Sequence, residues 1–271
     1  MSVAVASAPP RTRGRLWFYT NYHCNLACRY CLTESRPDAP RRMLDRTLIE
    51  TIASDAVALG FESFGVTGGE PFLRADMPEI LASLGTRLPT VVLTNGTLFS
   101  KHVLDAIAPL AQLPVALQMS LDSADATVND AERGAGDFSR VVAAIPALLA
   151  RGHRVRIGTT VADGTPLESL CELHRSLGIS DDDHVVRPII GSGRAAANAL
   201  GIATTFEDLP AELTITAEGA FWSPAAPTVQ SDRLEIDYLL TRTIDPLRIP
   251  LAAMDRIAGA QPLREGAFRV T

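Results

Sequence analysis

Six short runs of β-branched and aromatic residues alternate with longer helical stretches over the first two thirds of this 271-residue chain. The runs are Leu16–Asn21, Phe61–Thr67, Thr90–Thr94, Val115–Leu121, Val155–Val161 and His184–Ile190. Segments of 3.6-residue periodicity separate them, at about Leu44–Leu59, Met77–Leu84, Lys101–Leu110, Phe138–Ala150 and Leu167–Leu177. Gly, Pro, Asp and Asn punctuate the joins, as they do in βα repeats. Such alternation builds parallel strands joined by helical crossovers. Six units fall short of an eight-unit closed barrel. The expected fold is therefore α/β, a partial (β/α)6 TIM-like barrel, with a doubly wound sheet as the competing arrangement. Either places chemistry at the carboxyl ends of the strands.

The rhythm stops near residue 196, which suggests a main domain over 15–196 and a small C-terminal appendage over 197–271. Within the appendage, Leu213–Trp222 reads as a β-hairpin with a glycine turn, and Leu234–Leu240 as a short helix. Residues 1–14, rich in Ala, Ser, Pro and Arg, read as a flexible tail. The net charge is −6 at pH 7, so no overall basic field attracts nucleic acid or acidic lipid. Lys101 is the only lysine, and no phosphate-binding glycine loop surrounds it. No apolar run approaches the ~20 residues of a membrane span, and the first residues lack a secretion signal's charged start. The expectation is a cytoplasmic protein with neither nucleic-acid nor membrane partners.

Four cysteines stand at 24, 28, 31 and 171. Three thiols on one loop directly after the first strand, spaced CxxxCxxC, can hold three corners of a cubane iron–sulfur cluster and leave the fourth iron free of protein. A structural zinc site would recruit a fourth Cys or His. His23 is adjacent to Cys24 and badly placed to share its ion. Cys171 lies among Leu167, Leu170 and Leu177 and reads as a core residue rather than a ligand. A non-catalytic α/β protein whose thiols hold zinc or sense redox state is the alternative to an enzyme, and a scaffold descended from an enzyme is a third.

The CxxxCxxC loop, with aromatic Tyr30 before the last cysteine, resembles the signature of the radical S-adenosylmethionine (SAM) enzymes. The second strand ends in Gly68-Gly69-Glu70-Pro71, similar to the GGEP stretch that in that family holds the methionine amino group of SAM. Paired glycines admit a ligand close to backbone, and the acid suits an ammonium. By the same resemblance Ser120 contacts SAM, and Thr94, Asn95 and Asp122 touch SAM or substrate. An acid–Arg–Gly stretch at Glu132–Gly134 also matches, so Arg133 is a candidate carboxylate clamp. Arg187, closing the sixth strand, is a candidate for the SAM carboxylate or an anionic substrate; Arg194 is a further candidate.

The resemblance covers 16–194 and is closest in shape to the molybdenum-cofactor, pyrroloquinoline-quinone and peptide-maturing branch. It implies one [4Fe-4S] cluster on Cys24, Cys28 and Cys31 that reductively cleaves SAM to a 5′-deoxyadenosyl radical. That radical takes hydrogen from a peptide or a small natural-product or cofactor precursor. An electron donor such as flavodoxin or ferredoxin is implied as partner. The branch often carries a Cys-rich extension for auxiliary clusters; here Ser223 and Pro224 stand where such thiols would begin, so no auxiliary cluster is expected.

Overall fold

The computed structural model describes residues 12–162 and 164–260. The six expected strands form as β1 (Arg15–Tyr19), β2 (Ser63–Thr67), β3 (Thr90–Thr94), β4 (Val115–Ser120), β5 (Arg154–Val161) and β6 (His184–Pro188). They lie side by side in chain order and pair in parallel. A doubly wound sheet reverses its strand order at a switch point; no such reversal occurs among these six. β6 is one edge of a nine-stranded sheet and the sheet does not close, so the α/β partial-barrel expectation holds.

Helices α1 (Arg46–Ala58), α2 (Met77–Gly85), α3 (Lys101–Ile107), α4 (Ala126–Arg133), α5 (Asp137–Leu149) and α6 (Glu168–Ser176) connect the strands. The main core is one cluster in which strand residues such as Phe18, Phe64, Val92, Leu117 and Ile157 meet helix residues such as Ile52, Leu81 and Ile145. A second, smaller cluster of Trp17, Val91 and Ala116 belongs to alternate positions on the same strands, so it marks the opposite, concave face. The Trp17 ring lies over Gly65: a Cβ there would come within 2.3 Å of it.

Two features depart from the sequence reading. Residues 126–133 were not expected to be helical, yet Asp125 caps α4 by accepting from the backbone N–H groups of Thr127 and Val128. The helix expected over Leu234–Leu240 does not form. Arg233–Leu234 (β10) pairs with Val229–Gln230 (β9), and Leu239–Thr241 (β11) joins the large sheet. Cross-strand pairing overrides the local periodicity there.

The hairpin forms as β7 (Thr214–Thr216) and β8 (Gly219–Phe221), antiparallel to each other. It is not isolated: β7 pairs in parallel with β1, so these strands extend the main sheet in the order β11-β8-β7-β1. Two more helices follow the sixth strand, the single-turn α7 (Arg194–Ala197) and the 13-residue α8 (Arg248–Ala260). Of the tail read over 1–14, residues 1–11 lie outside the described residues, as do 261–271 of the appendage. Thr12 and Arg13 both donate to the Asp255 carboxylate of α8, at 2.7 and 2.9 Å. No described helix is long and apolar enough to cross a membrane.

Candidate functional site

Cys24, Cys28 and Cys31 line one cavity at the carboxyl ends of the parallel strands, about 1240 Å³ including its open mouth. Two sets of backbone bonds hold their loop. On one side the end of β1 is stitched to the turn after β2. Gly69 N–H donates to Asn21 O at 2.7 Å and Glu70 N–H to His23 O at 3.0 Å. The Asn21 amide donates to both His23 O and Glu70 O. The fit is close enough that a Cβ on Gly69 would lie 2.2 Å from His23 O. On the other side, Arg194 donates from its backbone to Cys31 O and from its guanidinium to Cys28 O at 2.7 Å and Ser35 O at 3.0 Å. Arg194, read from sequence as a possible anion binder, instead braces the loop. Gly193 before it takes φ +56, and a Cβ there would meet Leu32 O at 2.2 Å.

Burial, with the Glu70 charge nearby, pushes the Cys24 thiol up to about 12. Burial also pushes Cys28 to about 11, against the pull of the Arg133 guanidinium. Both thiols thus keep their protons near neutrality until a metal displaces them. Cys24 Sγ receives Leu26 N–H at 3.4 Å and the Asn95 amide at 3.6 Å, donors that suit a metal-bound thiolate. Among the described residues no three His, Cys, Asp or Glu side chains converge to hold one ion. A cubane cluster seats each thiolate on a different iron and requires no such convergence. Three thiols on one cavity wall, two N–H donors on the innermost sulfur, fit that group. Cys171 is elsewhere, with Sγ 3.8 Å from His184 Nδ1. It is half-buried rather than in the core as expected, because α6 turns Leu170 and His174 inward instead.

The other residues singled out from sequence divide into two layers. Tyr30, Gly68, Gly69, Thr94, Asn95, Ser120 and Arg187 line the cavity with the cysteines, whereas Glu70, Pro71 and Asp122 stand behind its wall. Glu70 is fully buried, and its carboxylate accepts from Phe72 N–H, Thr94 Oγ1 and Asn95 N–H at 2.7–3.0 Å. Burial raises it to about 6 despite these bonds. Its oxygens are thus spent on tying the β2 turn to the β3 turn. Pro71 starts the short 3-10 turn Pro71–Leu73 that follows. Ser120 Oγ donates to Thr94 O at 3.4 Å.

Asp122 is the hub of a buried network that sequence reasoning missed. It accepts from Tyr30 OH in a very short hydrogen bond, from Arg133 Nη1 at 3.3 Å and from Thr160 N–H at 2.8 Å. Arg133, 4% exposed, also donates to Tyr30 OH at 2.6 Å and to Asp137 at 2.8 Å. The cysteine loop is thereby locked to the end of β4 and to α4 and α5. The only signal in the sequence was the acid–Arg–Gly stretch; that its arginine turns inward depends on α4, which periodicity did not reveal.

A family model described as the radical SAM superfamily matches residues 19–177, more than half of the chain. The antilisterial bacteriocin subtilosin biosynthesis protein AlbA of Bacillus subtilis (strain 168) is 33% identical over 162 residues, 58% of this chain and 34% of that protein. The GTP 3',8-cyclase of Rhodopseudomonas palustris (strain TIE-1) is 31% identical over 184 residues, 63% of this chain and 52% of that protein. The chain thus spans about a third to a half of the length of these curated relatives. The structure of native anSMEcpe with bound AdoMet and Cp18Cys peptide shares the fold, with a TM-score of 0.64 at 12% identity over 95% of this chain and 84% of that one. The matched segment runs from the last residue of β1, through the cysteine loop, to the end of α6, and on it this chain belongs to the radical SAM superfamily.

Proposed function

We propose that the chain is a radical SAM enzyme that holds one [4Fe-4S] cluster on Cys24, Cys28 and Cys31 and modifies a peptide. The observation that carries this reading is the shared cavity: three thiols of one braced loop face the ends of β2, β3 and β4 across open space. When bound and reduced, the cluster supplies the electron that splits SAM into methionine and a 5′-deoxyadenosyl radical, which takes hydrogen from the substrate.

The chain's own residues bind and orient. Gly68 and Gly69 line the cavity and, lacking side chains, let the turn after β2 sit against the end of β1. Glu70 keeps the β2 and β3 turns together, and Asn95 donates to the Cys24 sulfur. Thr94 and Ser120 offer hydroxyls at the strand ends. Arg133 lines the cavity beside Cys28, with two of its nitrogens already fixed by Tyr30, Asp122 and Asp137; it suits the cofactor carboxylate. The cavity opens to solvent, and through that mouth a second molecule, the substrate, reaches the cofactor. That the second molecule is a peptide is supported by the relatives. AlbA is named for bacteriocin biosynthesis, and the anSMEcpe structure holds a peptide beside AdoMet. A small one-electron carrier of the flavodoxin or ferredoxin type serves as donor.

Anoxic reconstitution with iron and sulfide, then addition of SAM and dithionite, tests the reading. The expected result is a brown protein that forms 5′-deoxyadenosine, with none formed by the Cys24→Ala, Cys28→Ala, Cys31→Ala triple variant. A colourless protein that retains zinc and cleaves no SAM overturns it.

A further inference from the structure

Two guanidiniums line the cavity, and their surroundings differ. Arg133 is paired through Nη1 and Nε with Asp122 and Asp137. Arg187 makes no hydrogen bond or ion pair among the described residues, and its Nε is buried without a partner. Beside it on β4, Gln118 is 2% exposed, and both its amide nitrogen and its amide oxygen lack partners. The two side chains meet over Gly158 of β5. A Cβ there would lie 2.9 Å from both Arg187 Nη2 and Gln118 Nε2, so the absent side chain makes the notch they occupy.

This is a costly arrangement for an empty protein. A guanidinium keeps its charge, and Arg187, half-buried with its Nε enclosed, has no carboxylate among the described residues in contact with it. A buried amide left without partners adds to that cost. Desolvation pulls the Arg187 pKa down, against the opposing pull of Tyr30 and Asp122. An anion placed between Arg187 and Gln118 would accept from the guanidinium and from the amide N–H. The planar fork of the guanidinium and the amide N–H beside it match a carboxylate.

Asp122 indicates which carboxylate. One of its oxygens accepts from Tyr30 and Arg133, on the cysteine-loop side. The other accepts from Thr160 N–H, and Thr160 is the register partner of Arg187. Arg133 therefore stands on the Cys28 side of Asp122, and Arg187 stands on its β5–β6 side. We propose that Arg187, seated against Gln118 in the Gly158 notch, binds a carboxylate of the substrate rather than of SAM. The chain thus acts on a peptide that presents either an Asp or Glu side chain or a free C-terminus. This rests on the function proposed above, but it is tested by binding alone.

The test uses the reconstituted full chain loaded with SAM and three probes: acetyl-Ala-Asp-Ala-amide, its Asn counterpart, and acetyl-Ala-Ala-Ala with a free carboxylate. Affinities are measured by saturation-transfer NMR, and SAM affinity by equilibrium dialysis. One of the two carboxylate probes is expected to bind about tenfold more tightly than the Asn peptide, in line with a charge-assisted bidentate contact. Which one does so separates a side-chain carboxylate from a C-terminal one. Arg187→Gln should erase the preference and leave SAM affinity within about twofold, since Arg133 holds the cofactor's carboxylate. Gly158→Ala, which narrows the notch, should reduce the preference; if Arg187→Gln fails to fold, this variant decides. The proposal is overturned if the wild-type protein shows no preference, or if the preference survives in a folded Arg187→Gln or, where that variant does not fold, in Gly158→Ala. It is equally overturned if Arg187→Gln weakens SAM as much as the probe. Failure to form 5′-deoxyadenosine would defeat the proposed reaction and leave the carboxylate preference standing or falling by itself.

Discussion

Gly69 and His174 show how single positions set limits that composition does not reveal. A methyl group at 69 would press on the His23 carbonyl, a backbone atom one residue before Cys24. Gly69→Ala must therefore shift the start of the cysteine loop. The expected outcome is a folded protein with less iron per chain after reconstitution than wild type, measured by colorimetric iron analysis. His174 is 1% exposed, and burial, helped by His184 edge-on to it, lowers its pKa from 6.5 to about 4. The unfolded chain takes up this proton first as the pH falls. The stability tied to the neutral ring is complete above about pH 6.5 and is lost between there and pH 4, amounting to roughly 1–3 kcal/mol. Glu70 has the opposite sign. Its pKa is raised to about 6, so its contribution is greatest below pH 4.5 and is lost as the pH rises through 6. Urea midpoints at pH 5 and 7.5 check this: His174→Phe should lose less stability on acidification than wild type does.

Among the elements, α4 carries the most functional weight for its size. Eight residues long, it delivers Arg133 into the network with Tyr30 and Asp122. Its start depends on Asp125, whose carboxylate accepts from Thr127 and Val128 N–H. Asp125→Ala should cost about 1 kcal/mol, read as a lower melting temperature. It should also weaken SAM binding if Arg133 holds the cofactor carboxylate, whereas the same change at Asp45, which caps α1 away from the cavity, should lower stability alone. The parallel strands were legible because each carries its own short apolar run. The helix α4 was not, because its inward residues are Asn129 and Arg133 rather than an apolar stripe. At β10 and β11 the local pattern suggested a helix, and the edge of the sheet supplied better hydrogen bonds.

Over the whole molecule, the strands beyond residue 196 cover what would otherwise be an open flank of the barrel. β7 pairs with β1, and Trp17 Nε1 donates to Glu212 at 2.5 Å. Residues 1–196 alone would expose the β1 edge, an invitation to intermolecular pairing. Such a truncation is expected to elute as aggregate in size-exclusion chromatography, whereas a monodisperse, SAM-binding fragment would show the appendage to be dispensable.

The spacing of Cys24, Cys28 and Cys31, the Gly68–Pro71 turn and the βα repeat were readable from the chain itself, because each depends on residues within a few positions of one another. The number of parallel strands followed from counting those repeats. The pairing of β7 with β1, some two hundred residues apart, did not, nor did the meeting of Tyr30, Asp122 and Arg133 or the Gln118–Arg187 notch. Those arise where strand ends from distant segments are brought to one side of a sheet. Which buried charge finds a partner there, and which is left open to a ligand, is settled only when the sheet is assembled around them.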